Sequence, residues 1–89
     1  MVSIPSLSGQ ERDLANAVYA EMLALGYDEV RRDDVGNVVG RVRGSGGRTL
    51  MLNAHMDIVD PGDVSQWRFP PFAGEIREGH LYGRGASDT

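Results

Sequence analysis

The sequence predicts an α/β fold, with an N-terminal helix packed on a partial sheet. Three patterns carry that expectation. Apolar residues recur at helical spacing from Leu14 to Leu25, behind a serine–glutamate start signal. Residues 37–43 alternate as a strand does when one side is wet. Residues 49–55 form a mostly apolar run, the signature of a strand covered on both faces.

The helix is expected over Gly9 to Leu25. Ser8-Gly9-Gln10-Glu11 reads as a capping box, in which Ser8 accepts from the Glu11 N–H and Glu11 reaches back to Ser8. Leu14, Ala15, Val18, Met22 and Leu25 share one face, and Gly26 is the natural stop because a left-handed residue costs least there. Asp28 to Arg32 fits a short exposed strand, and Val35-Gly36-Asn37 a turn. The strand over 37–43 then meets the flexible Gly44-Ser45-Gly46-Gly47 turn and the apolar run from Thr49 to His55, which suggests a hairpin. From Asp60 to Phe72 the prolines and Gly62 exclude a regular element, while Trp67, Phe69 and Phe72 anchor the loop. Gly74 to Arg77, the Glu78-Gly79 turn and His80-Leu81-Tyr82 suggest a small second hairpin, followed by a tight loop from Gly83 to Thr89.

Composition narrows the function. Eighty-nine residues allow one small domain or part of a larger one, and 40% hydrophobic content is ordinary for a globular chain. Nine arginines and no lysine stand against thirteen acids, and the net charge of −4 argues against nucleic acid as a main partner. Without cysteine there is no disulfide framework, so any metal must be held by histidine and carboxylate. The N-terminus lacks a basic stretch followed by an apolar run, and no segment approaches membrane length. A cytoplasmic location without a membrane partner is therefore expected.

Two clusters carry chemistry. In an extended strand His55 and Asp57 project to one side. One imidazole nitrogen can bind zinc while the other donates to a carboxylate that fixes the tautomer. Asp57 is placed to serve His55 this way, or to orient a neighbouring catalytic group. The bland alternative is a pair of polar residues at a strand end. In Gly83-Arg84-Gly85-Ala86-Ser87-Asp88 the two glycines permit a sharp turn that gives Asp88 a direction, and its two oxygens can bridge a metal pair. Here the bland alternative is a glycine turn with a capping Asp. Phosphate binding is disfavoured because the third glycine and a lysine are missing. Ser87 lacks a nucleophile elbow, which disfavours serine catalysis. His80 reads as a solvated hairpin residue, Arg41, Arg43 and Arg48 as a basic strip on a strand edge, and Asp28 to Asp34 as solvated surface.

These residues resemble the N-terminal part of metallopeptidase family 20, the group of acetylornithine deacetylase, succinyl-diaminopimelate desuccinylase, aminoacylase and glutamate carboxypeptidase. The matching stretches are Ser6 to Glu11, Asp34 to Val38, Asn53 to Val59, Trp67 to Phe72 and His80 to Asp88, in family order across essentially the whole chain. The stretch from Glu21 to Val30 and Gly85 to Asp88 look most like the selenium-metabolism hydrolase subgroup. The resemblance implies that His55 is a ligand of one zinc, that Asp57 is the catalytic-site acid supporting it, and that Asp88 bridges two zincs, with cobalt as an alternative metal. Members of the family often have a cis peptide just after the bridging acid, here Asp88–Thr89, which little in this chain by itself would enforce; the resemblance also implies an N-acyl amino acid or small peptide as substrate. It also allows a homodimer for the complete protein. Asp60 precedes Pro61 where many members have proline directly, which affects the loop path rather than the metal chemistry.

By the same resemblance, residues 1–89 are a truncated portion of a zinc-dependent exopeptidase-type catalytic domain. The general base, the remaining ligands and the lid or dimerisation domain lie elsewhere. The chain alone is then expected to bind zinc weakly and to be inactive. The rival expectation is a non-catalytic binding or structural module that kept the scaffold and lost the reaction.

Overall fold

The computed structural model describes residues 1–88. It is an α/β arrangement of one helix, α1 (Arg12–Ala24), and two separate antiparallel pairs. The first pair joins β1 (Glu29–Arg32) to β2 (Val38–Arg41), and the second joins β3 (Glu75–Arg77) to β4 (His80–Tyr82). A short 3₁₀ turn, Val64–Gln66, sits in the loop between them.

Helix α1 starts three residues later than the sequence suggests. Gly9 takes a left-handed φ of 83°, and the Gln10 N–H donates to the Leu7 carbonyl at 2.7 Å, so the chain turns before it coils. Glu11 is the N-cap and receives no side-chain cap. The expected capping box is therefore corrected. The Glu11 carboxylate does reach back, but to the Gly9 N–H at 2.7 Å, and Ser8 turns away from the helix altogether. The other end behaves as expected. Gly26 has φ 76°, its N–H donates to the Leu23 carbonyl, and Tyr27 N–H donates to that of Met22, which closes the last turn.

The helix packs on β1 and β2. Ala15 is its buried residue, while Leu14, Val18 and Met22 are half-buried and Leu25 is exposed. Gly40 makes this approach possible: a Cβ there would stand 2.6 Å from the Tyr27 ring and 2.7 Å from Met22 Sδ. Register pairs Val30 with Gly40 and Arg32 with Val38. The turn between the strands is built by Asp33, whose carboxylate accepts from the N–H groups of Val35 and Asn37 and from the Asn37 amide. Arg41 and Arg43 pair with Glu29 across the strand edge, so these two exposed residues of the basic strip are charge-matched.

Two sequence expectations fail together. Residues 49–55 form no strand, and β2 pairs with β1 instead of with them. Leu50, Met51 and Leu52 are 83%, 79% and 86% exposed. An apolar run becomes a covered strand only if neighbouring strands take up its backbone groups on both sides. Among the described residues none does, and the backbone tie of this stretch comes only at Ile58.

The loop over 60–72 is packed by its aromatics, as expected. The Trp67 indole N–H donates to the Pro61 carbonyl at 2.9 Å, and the Arg84 guanidinium lies 4.9 Å from the Trp67 ring centre. Phe69 packs 4.5 Å from Tyr82 between centroids, fastening the loop to the second hairpin. That hairpin forms where the sequence places it, turning through Glu78 and Gly79, both with positive φ.

Candidate active site

Three chain segments meet at the candidate site: residues 6–8, 55–58 and 83–88. The first two run parallel. Ile58 N–H donates to the carbonyl of the buried Ser6 at 2.9 Å, and Leu7 forms a parallel bridge with Ile58. This lays the N-terminal segment beside residues 55–58 and sets Ser8 against Asp57. The third segment is brought in by glycine. Arg84 N–H donates to the Pro71 carbonyl at 2.8 Å, and Gly83 sits where a Cβ would stand 3.0 Å from that same oxygen. Gly85 has φ 80° and lies so close to Ile58 that a Cβ would reach its Cγ2 at 2.8 Å. Positive φ and close approach together require glycine at 85.

The result is a continuous row of polar groups. Ser8 Oγ donates to Asp57 Oδ2 at 2.6 Å. Asp57 Oδ1 lies 3.1 Å from His55 Nδ1, which is also 2.9 Å from the Asp57 backbone carbonyl. Both of those partners only accept, so Nδ1 carries the proton. On the other edge of the ring, Nε2 lies 3.4 Å from Asp88 Oδ1. The three side chains stay open to solvent, with exposures of 51% for His55, 42% for Asp57 and 78% for Asp88.

Electrostatics follow these contacts. The Ser8 hydroxyl leads in holding the Asp57 carboxyl below its usual range; partial desolvation opposes it, and His55 adds to the lowering. The Asp57 backbone carbonyl raises the His55 pKa; partial desolvation works against it, and the Asp57 and Asp88 carboxylates add to the rise. A neutral Nδ1–H imidazole would face Asp88 with a lone pair. That contact is favourable only with positive charge between the two acceptors, as a proton or a metal ion.

The structure thus brings together all three residues singled out in the sequence. Among the described residues no group of three or more His, Cys, Asp or Glu side chains is arranged to hold a metal ion. His55 and Asp88 face each other as a pair, with Asp57 behind the imidazole. His80 is exposed in its hairpin, its Nδ1 3.0 Å from the Glu78 carbonyl. Ser87 is exposed too. The Asp88–Thr89 peptide lies outside the described residues. Ser8 is the residue that sequence reading missed. Its local context signals a helix cap, and its partner is 49 positions away.

Comparison with known proteins places the chain among known sequences. Residues 51–89 match the model of peptidase family M20/M25/M40, the stretch that contains His55, Asp57 and Asp88. Over that stretch the chain is similar to this peptidase family. It is 39% identical over 88 residues to the uncharacterised protein YgeY of Escherichia coli, covering 99% of this chain and 22% of that protein. It is 43% identical over 67 residues to the succinyl-diaminopimelate desuccinylase of Paracoccus denitrificans, covering 73% of this chain and 18% of the enzyme. The enzyme of that name from Methylocella silvestris is 49% identical over 62 residues, covering 70% and 16%. The chain therefore spans at most about a fifth of the length of these relatives. No solved structure matches it. No helix among the described residues is long and apolar enough to cross a membrane.

Proposed function

We propose that the chain is the N-terminal portion of a dinuclear zinc amidohydrolase or exopeptidase that cleaves the amide bond of an N-acyl amino acid or small peptide. The observation that carries this reading is the His55–Asp88 contact. Two donors each about 2.0–2.2 Å from one zinc at a tetrahedral angle lie about 3.3 Å apart, and Nε2 and Oδ1 stand 3.4 Å apart. A nitrogen and carboxylate donor set without sulfur suits zinc, and cobalt as its substitute.

In this reading His55 and Asp88 hold the metal, and Asp57 acts through His55. Bound zinc would supply a water of lowered pKa and polarise the substrate carbonyl. The chain's own residues prepare for that. Asp57 fixes the proton on Nδ1 and so keeps Nε2 available as a donor. Asp88, the most exposed of the three, presents two oxygens, enough to bridge a pair of ions. With no third ligand gathered among the described residues, this polypeptide alone is expected to bind zinc weakly and to hydrolyse no substrate. The desuccinylase relatives favour an N-succinyl or similar N-acyl amino acid as the class of substrate.

Calorimetric zinc titration tests the metal reading. The expected result is weak binding by the wild-type chain that is lost in His55→Ala. Equal binding by both would overturn it, and turnover of an N-acyl amino acid by this chain, abolished by His55→Ala, would overturn the expected inactivity.

A further inference from the structure

Ser8 is positioned with more care than a loop serine needs. Its backbone neighbourhood is fixed twice, by the Ile58-to-Ser6 hydrogen bond and by the Leu7–Ile58 bridge. Its hydroxyl makes a short 2.6 Å bond to the Asp57 oxygen that does not face His55. The helix that begins just after it does without its cap, leaving Glu11 to satisfy Gly9. Had the helix started where the sequence suggests, Ser8 would have accepted from its first turn. Here it donates to a carboxylate instead.

The consequence lies in what Asp57 can do. A carboxylate held through one oxygen alone can swing about its Cβ–Cγ bond. Held at Oδ2 by Ser8 and at Oδ1 by the imidazole, it has one orientation, and with the Asp57 backbone carbonyl it keeps the proton on His55 Nδ1. We propose that Ser8 is a positioning residue for the metal centre, acting through Asp57 to fix the tautomer and direction of the His55 ring. The inference rests on the metal reading above only for what His55 does. The orientation of the ring is a property of this chain by itself.

The test uses the full 89-residue chain without metal, at a fixed pH where both imidazoles are neutral. Two-bond ¹H–¹⁵N correlation spectra report the tautomer of each ring. In the wild-type chain His55 should show one dominant Nδ1–H form. Ser8→Ala should shift it toward the mixed pattern of a free imidazole, and Ser8→Thr, which keeps the hydroxyl, should restore it. His80 serves as internal reference, and backbone amide spectra establish that each variant is folded. Ser8→Ala with the wild-type tautomer, or Ser8→Thr failing to restore it, overturns the proposal. A parallel zinc titration separates it from the metal reading. Partners behind a metal ligand are worth roughly 10–100-fold in affinity, so Ser8→Ala should weaken zinc binding about tenfold, with Ser8→Thr close to wild type. If His55→Ala binds zinc as the wild type does, the metal reading fails and the tautomer spectra still decide the role of Ser8.

Discussion

The unit formed by α1 with β1 and β2 and the stretch from Gly44 to Met56 differ in how they are held. In the first, each element carries its own closure. Gly26 ends the helix, Asp33 ties the turn, Glu29 pairs with Arg41 and Arg43, and the strands satisfy each other. In the second, Leu50, Met51 and Leu52 stand open to solvent. The most exposed run of large apolar residues thus lies in the stretch without regular structure. Hydrophobicity drives burial only where other parts of the chain provide a surface to be buried against. Hydrogen-exchange protection should follow this division, with amides in residues 29–41 protected and those in 49–54 exchanging freely. Uniform protection would erase the contrast.

Substitutions break the comparison in graded steps. The largest expected effect is Gly40→Val. Its side chain would enter the space held by Tyr27 and Met22, and overpacking of this kind costs about 1–3 kcal/mol. Thermal or urea unfolding reads this directly. Gly85→Ala comes next, because a left-handed residue costs roughly 1–2 kcal/mol and its Cβ would meet Ile58. This variant should also weaken zinc binding, since the loop carries Asp88. Gly40→Val should leave zinc binding nearly unchanged as long as the chain stays folded.

A pH effect of smaller size is expected at the Asp33 turn. The Asn37 side chain leads in holding the Asp33 carboxyl below its ordinary value. A depressed folded-state pKa contributes stability that is present above the unfolded value and is lost as pH falls through the folded one. Acid titration of the unfolding midpoint should therefore show a loss beginning near the ordinary carboxylate range and continuing below it. Asn37→Ala should flatten that dependence. The smallest effect belongs to Leu50→Ser, which should stay within about 0.5 kcal/mol of wild type because Leu50 is already exposed. A larger loss would mean that residues 49–55 are covered after all.

The same contrast explains what the sequence disclosed. The helix, its glycine stop, the anchored loop and the second hairpin rest on neighbours a few residues away, and all were legible. The apolar run was read as a covered strand because its composition describes a surroundings that the described residues do not supply. At the site, residue type, spacing and the family resemblance singled out His55, Asp57 and Asp88, and the structure places the three side by side. Ser8 was not, because its capping signature is local while its hydrogen bond spans the chain through the Leu7–Ile58 bridge. Nor could the sequence show that Glu11 would turn to Gly9 and release it.

The central claim is that His55 and Asp88 form one side of a zinc centre. X-ray absorption at the zinc edge of the loaded chain tests it most directly, since the sequence has only two histidines and no cysteine. The expected spectrum has nitrogen and oxygen neighbours near about 2.0–2.2 Å, with the scattering of one imidazole. That imidazole signal should vanish in His55→Ala and persist in His80→Ala. An imidazole signal that survives His55→Ala, or is absent from the wild-type chain, would contradict the assignment.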